Sequence, residues 1–143
     1  MAHTDHTAAE LLGTALPESE PLALVARLEA GLPYRSLMQF KRALNLADAD
    51  IALVLKMSAR TLTRLHARKP KLLPSDLSER LYSVAQVYAL ADEVFADHDR
   101  ALGWMAEPQF GLKGQRPNEL VRNEIGRTQV RELLQRIEHG LAA

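Results

Sequence analysis

Residues 49–69 read ADIALVLKMSARTLTRLHARK, and the spacing of their apolar side chains decides the fold. Ile51, Ala52, Leu55, Met57, Leu62 and Leu65 occupy the places at which two short helices joined by a tight turn bury their inner faces, with Ala52 small enough to let the second helix cross the first closely. Asp48 and Ser58 are of the residue types that cap helix N-termini, which predicts one helix after each. If Leu62 and Leu65 face inward, helical geometry turns Arg60, Thr61, Thr63, Arg64, Arg68 and Lys69 outward, with Ser58 at the amide-rich end of the helix. Guanidinium groups bind phosphate oxygens and base edges bidentately, so this set suits DNA. The same cations also suit a protein partner, and both readings stay open here. The turn position most often filled by Gly is Lys56, which requires a non-Gly residue in a left-handed conformation or a different turn geometry.

Outward from this stretch the apolar period is helical from Leu22 onward, and no segment alternates with the period of a strand. Leu22, Val25 and Leu28 mark a short helix stopped by Gly31 and Pro33, and Leu37, Phe40, Leu44 and Leu46 mark another. Downstream, Pro70 and Pro74 close the group and Ser75 opens a long helix running to about Asp97. Its positions Leu77, Leu81, Val84, Tyr88, Ala91 and Phe95 form one apolar stripe, and Val87, Leu90 and Val94 a second beside it. So wide an apolar arc has to be covered on two sides, by the rest of the chain or by another subunit. From Trp104 to Gly126 the glycines and prolines predict short helices and tight turns, with Pro117 opening one of them. Thr128 is the expected cap of a last helix bearing Val130, Leu133, Leu134 and Ile137.

The expected organisation is therefore all-α: a flexible acidic arm over residues 1–21, a helix-turn-helix domain over 22–73, and a long connecting or dimerising helix with a C-terminal domain over 74–143. The 143 residues are about one domain's worth, and 47% hydrophobic with 25% charged residues excludes a wholly disordered chain. No apolar run approaches the roughly 20 residues of a membrane span, and the N-terminus lacks signal-peptide order, so a cytoplasmic protein with no membrane partner is expected. The absence of Cys excludes disulfides and thiolate metal sites. A net charge of zero conceals segregation: residues 1–20 carry acids only, residues 56–71 carry Lys56, Arg60, Arg64, Arg68, Lys69 and Lys71 without an acid, and residues 75–107 are again acidic.

No catalytic set assembles from spacing, so an enzyme is not expected, nor is a cofactor. His3 and His6 sit in the arm, where converging metal ligands are not expected, and Asp97, His98 and Asp99 point in different directions as a solvated helix end. His66 and His139 look isolated. Trp104, Phe110, Gly111, Leu112, Gly114, Pro117 and Gly126 fit either a partner-binding segment anchored by Trp104 or a small irregular subdomain whose Trp fills its own core.

The helix-turn-helix, the long helix and the tail ALGWMAEPQFGLKGQRPNELVRNEIGRTQVRELLQRIEHG (residues 101–140) together resemble antitoxins of the Xre/MbcA/ParS type. The tail carries most of the likeness, through Trp104, Pro108, Gly111 with Gly114, Pro117 with Leu120, Gly126, Val130 with Leu133, and Gly140. It departs in having Leu112 and Lys113 between two glycines that relatives often pair, and Val121 with Arg122 after the short turn. The resemblance implies a partner toxin with a RES domain, similar to ADP-ribosyltransferases and using NAD, whose pocket the C-terminal domain covers. It implies a contact surface centred on Trp104, Phe110, Gly111, Leu112 and Lys113, with Arg116, Arg122, Arg127 and Arg131 at its edge. It further implies a homodimer that binds operator DNA and represses its own operon. A dimeric helix-turn-helix regulator without a toxin is the alternative.

Overall fold

The computed structural model describes residues 6–140, and among these every regular element is helical. The helices are α1 (Ala8–Leu12), α2 (Pro21–Ala30), α3 (Tyr34–Ala43), α4 (Asp48–Val54), α5 (Ala59–Arg68), α6 (Ser75–Phe95), α7 (His98–Ala106), α8 (Pro117–Leu120) and α9 (Glu124–Glu138), with one 3-10 turn at Phe110–Leu112. The all-α expectation holds.

α6 is the axis of the molecule. Leu81, Val84, Ala85, Val87 and Ala91 are fully buried on it, because α1, α2, α7 and α9 all pack against it. Burying such aliphatic side chains contributes roughly 1.5–3 kcal/mol each. The first stripe is buried by the chain itself through Ala91, whereas Leu90 and Val94 of the second, with Phe95, stay half-exposed, Leu90 and Val94 on the same open side of α6 as Asp76, Glu79, Gln86 and Glu93. The helix stops at Phe95 rather than Asp97, since Ala96 turns left-handed at φ 52°.

Three local expectations are corrected. First, the described part of the acidic arm is docked and not mobile; residues 1–5, including His3, lie outside the described residues. Thr7 accepts from the Glu10 amide at 3.1 Å and Glu10 reaches back to the Thr7 amide, closing a capping box. α1 then inserts Leu11 and Leu12, both buried, against α3 and α6. Second, Asp48 lies inside the first turn of α4, behind Ala47 as cap, because its carboxylate is taken by Lys41 at 2.7 Å. Third, α9 begins at Glu124 behind Asn123, one turn before Thr128, whose hydroxyl donates to the Glu124 carbonyl at 3.1 Å. Gly126 explains the early start: it is buried in the first turn of α9, where an added Cβ would lie 1.8 Å from the Leu120 carbonyl oxygen. That glycine serves close approach of α8 to α9 and not a loop.

Candidate functional site

Two surfaces carry the chemistry foreseen from the sequence, and each is built by local geometry. On the first, α4 and α5 are joined by a turn in which Lys56 takes φ 52°. The left-handed option is therefore the one used. Leu55 is buried at the turn, and Leu62 fixes the inner side of α5. Ser58 caps α5 by accepting from the Thr61 amide at 3.0 Å and donating to Thr61 Oγ1 at 2.9 Å. Ser58, Arg60, Thr61, Thr63, Arg64, Arg68 and Lys69 are all exposed. None of the four cations forms an ion pair among the described residues. Arg60, Arg64 and Arg68 recur every fourth residue, so their guanidinium groups make one stripe. Ser58 is the cap that the sequence led one to expect, its hydroxyl engaged with Thr61.

The face is braced from behind by a polar cluster that sequence reading did not detect. The Tyr34 hydroxyl lies 2.6 Å from His66 Nδ1, and His66 Nε2 lies 3.3 Å from Asp48. His66 is thus not isolated; it ties α5 to α3 and α4. The Lys41 hydrogen bond, followed by the His66 contact, holds the Asp48 carboxyl below the usual carboxylate range, while burial and the nearby Asp48 charge push the Tyr34 hydroxyl up.

The second surface is the loop after α7. Gln109 N donates to the Gln115 carbonyl at 3.1 Å and Gly114 N donates to the Gln109 carbonyl at 2.9 Å, closing residues 109–115 into a tight loop. Lys113 (φ 56°) and Gly114 (φ 81°) turn it back. The Gln109 side chain further holds the Trp104 carbonyl at 2.9 Å. Phe110, 93% exposed, stands at the tip. An aromatic ring of that size left in water on a closed loop is the feature of a partner anchor.

The residues foreseen for this surface do not all reach it. Phe110, Lys113, Arg116 and Arg122 are exposed and Gly111 is half-buried. Leu112 is buried and anchors the loop from beneath. Trp104 is half-buried against Phe95, with ring centroids 5.6 Å apart, so its ring supports the platform of α7. Arg127 is turned inward, donating to the Val121 carbonyl at 2.8 Å, with its Nε buried; this burial lowers its pKa. Arg131 is half-buried. In the free chain Leu112 thus packs into the core and Arg127 satisfies a carbonyl at the α8–α9 corner. Ile125, 78% exposed in the first turn of α9, is a second exposed apolar side chain of this module and was not foreseen.

The two surfaces share one scaffold. Lys56 in the turn donates to Asn123, the cap of α9, at 3.2 Å, and Arg80 of α6 donates to the Leu55 carbonyl at 3.0 Å. Among the described residues no helix is long and apolar enough to cross a membrane.

This arrangement is that of a helix-turn-helix protein carrying a separate C-terminal helical module. Residues 90–140 match the family described as the antitoxin Xre/MbcA/ParS C-terminal toxin-binding domain, and residues 23–86 match the antitoxin Xre-like helix-turn-helix domain, which extends into α6 beyond the boundary expected at residue 73. Antitoxin Xre of Photorhabdus laumondii is 30% identical over 128 residues, covering 89% of this chain and 86% of the relative. Antitoxin Xre of Yersinia enterocolitica is 28% identical over 127 residues, covering 88% and 85%. A chain in the crystal structure of the M. tuberculosis MbcT–MbcA toxin–antitoxin complex shares the fold, with a TM-score of 0.56 at 23% identity over 77% of this chain and 96% of that one. The chain belongs to the Xre/MbcA family of antitoxins.

Proposed function

We propose that this antitoxin neutralises a RES-domain, NAD-using toxin by seating the 109–115 loop at the mouth of its NAD pocket. The observation that carries this reading is Phe110, a large aromatic side chain held 93% exposed on a loop closed by backbone hydrogen bonds. Its rigidity matters, because a loop already shaped for its partner loses little conformational entropy on docking. Lys113 and Arg116 are exposed in and just after the loop and supply polar contacts at the edge of the interface, Arg116 being paired with Glu119 at 3.4 Å in the free chain. The solved toxin–antitoxin complex of the same fold supports a protein partner of this kind.

The same chain represses its own operon in this reading, through the Arg60, Arg64 and Arg68 stripe of α5 in a major groove. Two copies are needed to reach successive grooves about 34 Å apart. In this reading α2 is the pairing element: Leu22 is 85% exposed and Val25 is also exposed one turn further along the same side.

Co-expression with the neighbouring reading frame tests the first part. Growth rescue together with co-purification supports it. Rescue by a chain ending before residue 103, or a neighbour without toxicity, refutes it and leaves a DNA-binding regulator.

A further inference from the structure

We propose that His6, Asp92 and His98 form a binding site for one divalent transition-metal ion of the zinc class. They come from three elements, the segment leading into α1, the last turns of α6 and the first turn of α7, with His6 lying 86 positions before Asp92 and His98 six after it. One ligand atom from each lies within 4.8 Å of the others. Asp92 is 1% exposed on an otherwise apolar side of α6, and a carboxylate so placed is costly unless cations or donors converge on it. Both its oxygens are met, Oδ2 by His6 Nδ1 and Oδ1 by His98 Nδ1, each at 2.8 Å.

The orientation of His98 points to a metal. Its Nε2 lies 2.6 Å from the Ala43 carbonyl, which only accepts, so Nε2 bears a hydrogen. In the neutral ring the Nδ1 lone pair then faces the carboxylate, and something positive has to lie between them. A proton satisfies this, and so does a metal ion. Metal-binding imidazoles commonly donate their second nitrogen to a backbone carbonyl, which fixes the tautomer, and Ala43 provides that here. Tetrahedral zinc with bonds of about 2.0–2.1 Å places its ligands roughly 3.3 Å apart, so each Asp92–histidine distance of 2.8 Å opens by about half an ångström while the two imidazole nitrogens, within 4.8 Å of each other, adjust to the same spacing. Two imidazoles and one carboxylate without thiolate suit zinc and leave a fourth position for water, and His6 also lines the cleft that bears Glu18, Gln86 and Glu93. His6 is 38% exposed and supplies the path in. Bound there, the ion would clasp the N-terminal segment, and with it α1, onto α6 and α7.

The full chain, stripped with chelator and dialysed, is titrated with Zn²⁺ by calorimetry and with Co²⁺ by visible absorption. One equivalent bound, with a tetrahedral cobalt band and a raised melting temperature, is expected. His6→Ala and His98→Gln should each weaken binding by about tenfold or more, while His139→Ala, on an exposed residue at the far end of the chain, leaves it unchanged. His6→Ala removes a part-exposed side chain outside every helix, so its folding is checked by circular dichroism and its result stands if Asp92 or His98 variants misfold. No stoichiometric binding, or equal binding by folded His6→Ala, overturns the site and leaves a proton-linked triad.

Discussion

Gly126→Ala tests the packing that aligns the C-terminal module. The new Cβ would lie 1.8 Å from the Leu120 oxygen, 2.7 Å from its carbonyl carbon and 3.1 Å from its Cα, so the obstacle is backbone and not a side chain that can swing aside. Restoring even 3.0 Å requires α8 to withdraw by about 1.2 Å. Overpacking of this kind costs about 3 kcal/mol, and alanine returns about 1 kcal/mol through helix propensity. The net loss of about 2 kcal/mol lowers the melting temperature by about 4–8 °C in a protein of this size. Displacing α8 also disturbs Val121, whose carbonyl holds Arg127, and so shifts the support beneath the 109–115 loop. Toxin binding should weaken with stability. Gly103→Ala is the internal control: it lies in α7 with nothing within 4 Å of the place its Cβ would take, so propensity alone should raise stability by about 1 kcal/mol. Calorimetric melts of the three proteins decide. Stabilisation of both variants would refute the close-approach account of Gly126.

Phe110→Ala should leave the melting temperature unchanged, as the ring buries almost nothing in the free chain, yet cost about 2 kcal/mol or more of toxin affinity, about thirtyfold, by titration calorimetry. Arg60→Ala with Arg64→Ala should weaken operator binding strongly, reduce its salt dependence by about one ion per lost phosphate contact, and spare toxin neutralisation; joint loss of both activities in a folded protein would refute separate surfaces. Leu22→Glu with Val25→Glu should convert a dimer to a monomer in light scattering without unfolding the chain, because both side chains are exposed on α2. The Asp48 carboxyl is held below its unfolded value of about 3.9 by Lys41 and then His66, so its contribution to stability is present above that pH and is lost as pH falls through the lower folded value. Melting temperatures of the native chain and Asp48→Asn should therefore converge as pH drops below about 4; a gap that widens there contradicts the pairing.

Local periodicity was sufficient for what depends on neighbours in sequence. The helical segments, the helix-turn-helix and the outward cations of α5 follow from spacings of three and four residues, because a helix places such residues on one side whatever it packs against. The tail was legible through its glycines and prolines, but the anchor read at Trp104 packs against Phe95, and it is Phe110 that stands exposed. What depended on distant partners was not legible. The arm read as mobile because it offered a single short apolar patch at Leu11, Leu12 and Leu16, yet Leu11 and Leu12 pack against α3 and α6. Leu112 and Arg127 read as surface residues, and only the position of the core turns them inward.

His6 and Asp92 show the limit most clearly, being separated by 86 positions and brought to 2.8 Å only when α1 closes on α6. His98 looked like part of a solvated helix end, but the turn at Ala96 swings it toward Asp92 and Ala43. The sequence alone thus determined the helices, their exposed charges and the family. Tertiary structure decided which polar groups meet, because a convergence of side chains across the core depends on how whole helices cross, and no local spacing encodes that angle.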